Sequence, residues 1–390
     1  MTPAASLVGG ALGAGPLDFV LPPGLEAHEP PEARGVARDG VRLLVAAGGR
    51  MAHSVASALP GFLEPGDLLV VNLSSTLAAA VEGMGDDGRP LAVHFSGPHP
   101  GGGWVVELRG VITAGASAAF AAADAGEVVR LPAGARLRLV EPEAMAPGME
   151  APRLWRADLD QPGLRSRVGR RSLSTADDLA RVGGWLAQHG APIRYAHVPR
   201  PWPLSAYQTV FARVPGSAEM PSAGRPFTAA LLAALAARGV GVAPVVLHAG
   251  VSSQEAGEGP LTEPFAVPGP TAERVNDAHR RGHRVVAVGT TVVRALESAV
   301  GSTGAVEARR GWTDLVVTPD RGVGAVDGLV TGWHEPRASH LALLEAIAGR
   351  PLLEASYRAA LAEGYLWHEL GDLHLILPPI GGRQGAVAPR

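Results

Sequence analysis

From Phe227 to the C-terminus, β-branched apolar runs alternate with Ala- and Leu-rich segments. "FTAALLAALAARG" reads as a helix with Gly239 as its stop, and "VGVAPVVLHAG" as a buried strand. "HRVVAVGTTVVRALESAVG" is a strand, a Gly-Thr-Thr turn and a helix. "TDLVVTP", the helices "SHLALLEAIAG" and "LLEASYRAALAEG", and a last strand "DLHLILP" follow. Strands separated by helices run parallel, because a helical crossover returns the chain to the edge it left. This alternation constrains the chain more than any other feature.

The earlier part is different. "VRLLVAA" (Val41 to Ala47) and the end of "FLEPGDLLVVN" read as buried strands. Then "LAVHF", "GWVVELRG", "GEVVRL" and "ARLRLVEP" are short runs between Gly, Pro and Asp clusters, the pattern of a compact antiparallel barrel. The expected fold is therefore α/β: a parallel-strand-rich α/β body (residues 1–61 and 156–390) with an inserted small antiparallel β-barrel domain (residues 62–155).

Composition narrows the chemistry. The 390 residues are 46% apolar and 18% charged, which suits a folded chain with a large core. The absence of cysteine excludes disulfides, thiolate zinc sites, iron–sulfur clusters and a cysteine nucleophile. A net charge of -3 supplies no global basic field for nucleic acid. One local cluster, Arg165, Arg167, Arg170 and Arg171, is either a solvated loop or a phosphate-contacting one. No run is long enough to span a membrane, and the first residues lack the basic start of a secretory signal. A cytoplasmic monomer is the expectation.

Ligands of open α/β sheets bind beyond the carboxyl ends of the strands. Gly289, Thr290 and Thr291 open a helix after such a strand, with Arg294 about one turn on. A helix start suits a carboxylate or phosphate, although a Thr there is as readily a plain cap. His248, His334 and His368 each follow an apolar run, with Trp333, Trp367 and Asp372 nearby. A lone histidine is more often structural, but several at strand ends together point to a site. No spacing matches a metal site, and no phosphate-binding glycine loop follows a strand.

Several blocks together resemble the S-adenosylmethionine:tRNA ribosyltransferase-isomerase family of queuosine biosynthesis. They run in family order: "DFVLPPGL", "PGDLLVVN", "YQTVFA", "GSAEMPSAGRPFT", "VVLHAG", "VVAVGTTVVRALES", "TDLVVTP", "VDGLVTGWHEPRASHLALLEAIAG" and "YLWHELGDLHLIL". The resemblance implies an α/β body with an inserted barrel. It also implies transfer of the ribosyl unit of S-adenosylmethionine to the aminomethyl group of a 7-deazaguanine base in a tRNA anticodon, with adenine and methionine leaving. A base removes the acidic proton beside the sulfonium, and no metal or further cofactor takes part.

The resemblance implies roles by position. Gly289, Thr290, Thr291 and Arg294 would hold the methionine carboxylate or a ribose hydroxyl. Ser222, Ala223, Gly224 and Arg225 would line the donor pocket. His248, Glu263, His334 and His368 are the candidates for proton transfer. Asp327 and Asp372 complete the binding set, and Trp333 and Trp367 would stack on a base unless they pack in the core.

Some blocks depart from the family pattern. Of its Asn-Asp-Thr-Arg-Val block, "NLSSTL" keeps Asn72. "PSAGRPFT" has Arg225-Pro226 where the family has Leu-His, and "GVSSQEA" replaces Gly-Ala-Gly-Thr-Phe. "LTEPFAV" leaves Glu263 of a His-rich segment, and "IRYAHVPRP" replaces Leu-Pro-Pro-Tyr-Ile. Two alternatives therefore stand beside the tRNA reaction: a paralogue that uses S-adenosylmethionine with another acceptor, and a non-catalytic S-adenosylmethionine-binding protein.

Overall fold

The computed structural model describes residues 17–113, 116–119, 123–143, 152–162, 175–251 and 261–378. The Arg165 to Arg171 cluster, Ser252, Ser253 and the extreme N-terminus lie outside them.

Nine strands form one sheet. Four adjacent strands at its centre, Gly241–Leu247, Leu68–Asn72, Val285–Val288 and Gly328–Thr331, are mutually parallel. All five residues of Leu68–Asn72 and all four of Val285–Val288 are buried, as expected for strands covered on both faces. The sheet is mixed towards its edges. Leu373–Leu377 pairs antiparallel with Gly328–Thr331, since two successive helices, Ser339–Ala348 and Arg350–Ala362, connect them. Arg42–Ala47 then pairs parallel with Leu373–Leu377.

Six strands between Ala80 and Asp160 close into an antiparallel barrel, shut by the pairing of Leu154–Asp160 with Trp104–Thr113. Val93, Phe95, Val106, Leu108, Leu137 and Leu139 fill it, and Leu179, Val182 and Leu186 of the helix Thr175–His189 pack on the same cluster. The expected α/β body with an inserted barrel is thus the fold observed. Within the 62–155 stretch, Leu68–Asn72 is a central strand of the body sheet, and Ser74–Thr76 pairs with Val214–Ser217 in a separate two-stranded ribbon.

The two edges of the parallel sheet are built differently. At the amino edge, Asp67 accepts from the Arg284 guanidinium (2.6 Å) and backbone N–H (3.1 Å). Beside it, Asp327 accepts from the Val285 N–H (2.9 Å) and contacts His279 Nε2 (3.1 Å). These carboxylates tie loops to strand starts. The carboxyl edge holds His248 and His334.

Among the described residues of the barrel, one carboxylate is fully buried. Glu107 meets Arg109 (2.7 Å), Arg153 (2.9 Å) and His94 (3.2 Å). Burial pushes its carboxyl up, but His94 and the two guanidinium groups outweigh this and hold it at about 2. An unfolded glutamate titrates near ~4.3, so this group adds about 3 kcal/mol above that pH, lost as pH falls towards 2. Urea unfolding at pH 7 and pH 3 checks this: Glu107→Gln should be less stable at pH 7 by a few kcal/mol and show a much smaller further loss at pH 3 than the parent chain.

Candidate active site at the carboxyl edge of the sheet

Asn72 ends the strand Leu68–Asn72, between its two parallel neighbours. Its side chain is buried and uses both ends. The Oδ1 atom accepts from the N–H groups of Leu247 (3.1 Å) and Ser74 (3.0 Å). The amide nitrogen donates to the Leu247 carbonyl (2.8 Å) and to Thr291 Oγ1 (3.2 Å). One residue thereby joins the ends of two strands to the start of the helix Thr290–Glu297.

That helix has no side-chain cap. Gly289 is its N-cap residue, with φ +95°, a conformation that favours glycine, and Thr291 turns to Asn72 instead. Thr290 and Thr291 are half-buried. A Cβ on Gly289 would lie 3.7 Å from Ala223, so the short turn Ser222–Gly224 sits against the helix start. The structure thus brings "SAG" and "GTT" together across 65 residues of chain.

To one side lies a cleft between body and barrel, lined by His248, Gly250, Glu263, Ser96 and Val105. His248 is buried, and burial pushes its imidazole down to about 4, so it is neutral at pH 7. Its Nδ1 lies 2.7 Å from Ser74 Oγ, which lies 2.6 Å from Ser217 Oγ. The ring packs flat on Gly216, where any Cβ would overlap it. Glu263 accepts from the Gly250 N–H (2.8 Å) and forms an ion pair with Arg294. Burial raises the Glu263 carboxyl, against the pull of Arg294.

To the other side lies a second cleft, lined by Ser222, Arg225, Gly332, His368 and Asp372. His368 takes φ +71° and stacks on His197, with ring centroids 4.0 Å apart. His197 Nε2 lies 3.0 Å from Glu369, and His368 Nε2 lies 3.3 Å from Glu26. Burial and the neighbouring His197 push His368 down. Burial also works against charge on His197, but Glu369 overrides it and raises that group. Between the clefts, His334 Nε2 contacts Thr331 Oγ1 (2.9 Å), and its ring stacks on His340 at 4.7 Å. Burial, then His340, pushes His334 well below its usual value.

Several expected ligand contacts have structural jobs instead. The Arg294 guanidinium is used on Glu263 and on the carbonyls of Leu261 (3.2 Å), Thr313 (3.2 Å) and Leu315 (3.0 Å). Arg225 ties Glu32 (2.9 Å) and the Ala206 carbonyl (2.8 Å) while walling the second cleft. Trp333 and Trp367 are core residues, 2% and 0% exposed, packed with Tyr357 and Tyr365. Asp372 pins the loop before its strand by accepting from Leu366 N (2.8 Å) and Arg42 N (2.9 Å). Asp327 is at the opposite, amino edge. Sequence reasoning overlooked Ser74, Ser217, His197 and Glu26, none of which carries a motif of its own. Among the described residues, no group of three or more His, Cys, Asp or Glu is arranged to hold a metal, and no helix is long and apolar enough to cross a membrane.

The family model described as queuosine biosynthesis protein matches residues 15–376. The S-adenosylmethionine:tRNA ribosyltransferase-isomerase of Thermus thermophilus is 35% identical over 376 residues, 92% of this chain and 98% of its own. The enzyme of the same name from Moorella thermoacetica is 34% identical over 374 residues, again 92% and 98%. The crystal structure of S-adenosylmethionine tRNA ribosyltransferase from Thermotoga maritima is 26% identical, covers 93% of this chain and 99% of its own, and superposes with a TM-score of 0.49.

The Asn72 clasp predicts a measurable cost. Asn72→Ala strips the acceptor from two backbone N–H groups, at about 1–3 kcal/mol each, so urea unfolding should show a loss of roughly 3 kcal/mol. An effect below about 1 kcal/mol contradicts the clasp.

Proposed function

Because the chain belongs to the queuosine biosynthesis protein family, we propose that it is an S-adenosylmethionine:tRNA ribosyltransferase-isomerase. It moves the ribosyl unit of S-adenosylmethionine to the 7-aminomethyl-7-deazaguanine base of a tRNA, forming the epoxyqueuosine base and releasing adenine and methionine. The observation that carries this reading is the 35% identity to a named enzyme across 92% of the chain. The carboxyl edge of the sheet is the proposed site.

The electrostatics of that edge support the reading. S-adenosylmethionine carries a sulfonium cation, which uncompensated positive charge would repel. Arg294 is paired with Glu263 and Arg225 with Glu32. Burial leaves His248, His334 and His340 uncharged at neutral pH. A neutral imidazole can also take part in proton transfer.

The roles proposed at the site follow from placement. The N–H groups of Thr290 and Thr291 receive the methionine carboxylate at the positive end of the helix, while the Gly289 N–H is used on the Val330 carbonyl (2.8 Å). Ser222 to Gly224, small and close to that helix start, flank the donor. The barrel–body cleft with His248 and Glu263 and the cleft with His368 take the remaining parts of donor and acceptor. Arg225 and Arg294 hold walls of the site in place and do not contact the substrate. Arg225, at the most conspicuous departure from the family pattern, is committed to Glu32 and so does not itself favour a different acceptor.

Incubation with S-adenosylmethionine, with and without tRNA carrying the precursor base, tests the reading by adenine release. Adenine should appear only with that tRNA. Release without it, or with a small acceptor, supports the paralogue reading, and binding without turnover supports a non-catalytic role.

A further inference from the structure

The hydrogen bonds around His248 determine which of its ring nitrogens carries the proton. The Ala249 N–H donates to Ser217 Oγ (3.0 Å). Ser217 Oγ and Ser74 Oγ are 2.6 Å apart, and Ser74 Oγ is 2.7 Å from His248 Nδ1. Both serines are fully buried. Two hydroxyl protons must therefore be shared among these three linked groups.

At the end of this chain Nδ1 is either donor or acceptor. If Nδ1 carried a proton, it would donate to Ser74, and of the two serine hydroxyls only one could then donate to the other. The remaining hydroxyl proton would have no acceptor among the described residues. In the other direction each proton is used: Ala249 N–H to Ser217, Ser217 to Ser74, and Ser74 to Nδ1. A buried hydroxyl left without an acceptor shifts such an equilibrium by roughly tenfold or more. Nδ1 is thus the acceptor, and the ring proton lies on Nε2. Among the described residues Nε2 makes no hydrogen bond and is not one of the fully buried, unpartnered polar atoms, while His248 lines the barrel–body cleft.

We propose that His248 is a fixed, neutral hydrogen-bond donor, offering Nε2–H to an acceptor atom of the bound ligand, and that Ser74, itself bonded to Ser217, is the positioning residue that holds this tautomer. The chemistry it fits is a purine ring nitrogen or a hydroxyl or carboxylate oxygen, and not a cation. The assignment of a role in turnover rests on the ribosyl-transfer reading of the edge; the tautomer does not. A donor aimed at a leaving purine or a developing oxyanion acts by charge stabilisation, which separates His248 from the proton-acceptor role that its position in the sequence suggests. The burial that depresses its imidazole agrees with a group that stays uncharged through the physiological range.

Long-range proton–nitrogen spectra of the full chain labelled with ¹⁵N-histidine, assigned by loss of the signal in His248→Gln, test the tautomer at pH 7. The expected result is a pyridine-type Nδ1 and a pyrrole-type Nε2. A pyrrole-type Nδ1, or an imidazolium pattern, overturns the proposal. In Ser74→Ala the preference should weaken to a mixture of the two neutral forms, whereas Ser217→Ala, which leaves the Ser74 hydroxyl only Nδ1 to donate to, should keep it; an unchanged spectrum in Ser74→Ala denies Ser74 the positioning role. Adenine release gives the second arm. His248→Gln retains a side-chain donor but cannot accept a proton, so it should keep activity within about tenfold of the parent, while His248→Ala loses roughly a hundredfold or more. Equal losses in the two variants contradict the donor role. If the parent chain releases no adenine with precursor tRNA, the functional reading fails while the spectra still decide the tautomer.

Discussion

The carboxyl edge of this sheet is held together by one primary amide. Asn72 gives and receives hydrogen bonds on both ends of its side chain, to Leu247, Ser74 and Thr291. No other side-chain chemistry of that length does this: a carboxylate lacks the donors and a hydroxyl lacks the reach. The consequence extends in two directions. Through Leu247 the amide sets where His248 leaves its strand, and through Thr291 it sets the start of the helix whose free N–H groups face the proposed donor site. Through the Ser74 backbone it also places the hydroxyl that orients His248. In the block that resembles the family's Asn-Asp-Thr-Arg-Val, the asparagine that stands here is the residue that ties two strand ends to this helix start.

Charge at the edge is arranged by pairing. The two buried arginines are each matched to a carboxylate, and burial keeps His248, His334 and His340 neutral. Unpaired buried charge is costly, so such pairing is required for folding in any case. Its consequence for the proposed site is that Arg225, Arg294 and His197 stand there as members of pairs with carboxylates. The barrel contributes too: Ser96 and Val105 line the same cleft as His248, and Ser96 Oγ accepts from the Val251 N–H (3.0 Å). The inserted barrel is therefore part of the wall of the proposed site.

Much of this was legible in the sequence because the signals were local. Strand–helix alternation after Phe227 reports parallel strands directly, and short runs between turn residues report the barrel. Position after a strand correctly brought Gly289 to Thr291, His248 and His334 to one edge. What failed had a physical reason. The strand Gly328–Thr331 is only four residues long, so Asp327 before it and Gly332 after it fall on opposite edges of the sheet. Arg294 and Arg225 look like ligand-binding cations until their carboxylate partners, 31 and 193 residues away, are seen. Ser74 and Ser217 gain meaning only from contacts with His248 and with each other across long stretches of chain. Trp333 and Trp367 follow the commoner fate of large aromatics and fill the core.

The central claim is that S-adenosylmethionine binds at the carboxyl edge, between the helix start at Gly289 to Thr291 and the turn Ser222–Gly224. A crystal structure of the chain soaked with S-adenosylmethionine tests it most directly. The account predicts the methionine carboxylate on the N–H groups of Thr290 and Thr291, with the sulfonium clear of Arg225 and Arg294. Density for the ligand at the amino edge beside Asp327 and Asp67, or on the barrel away from His248, would contradict it.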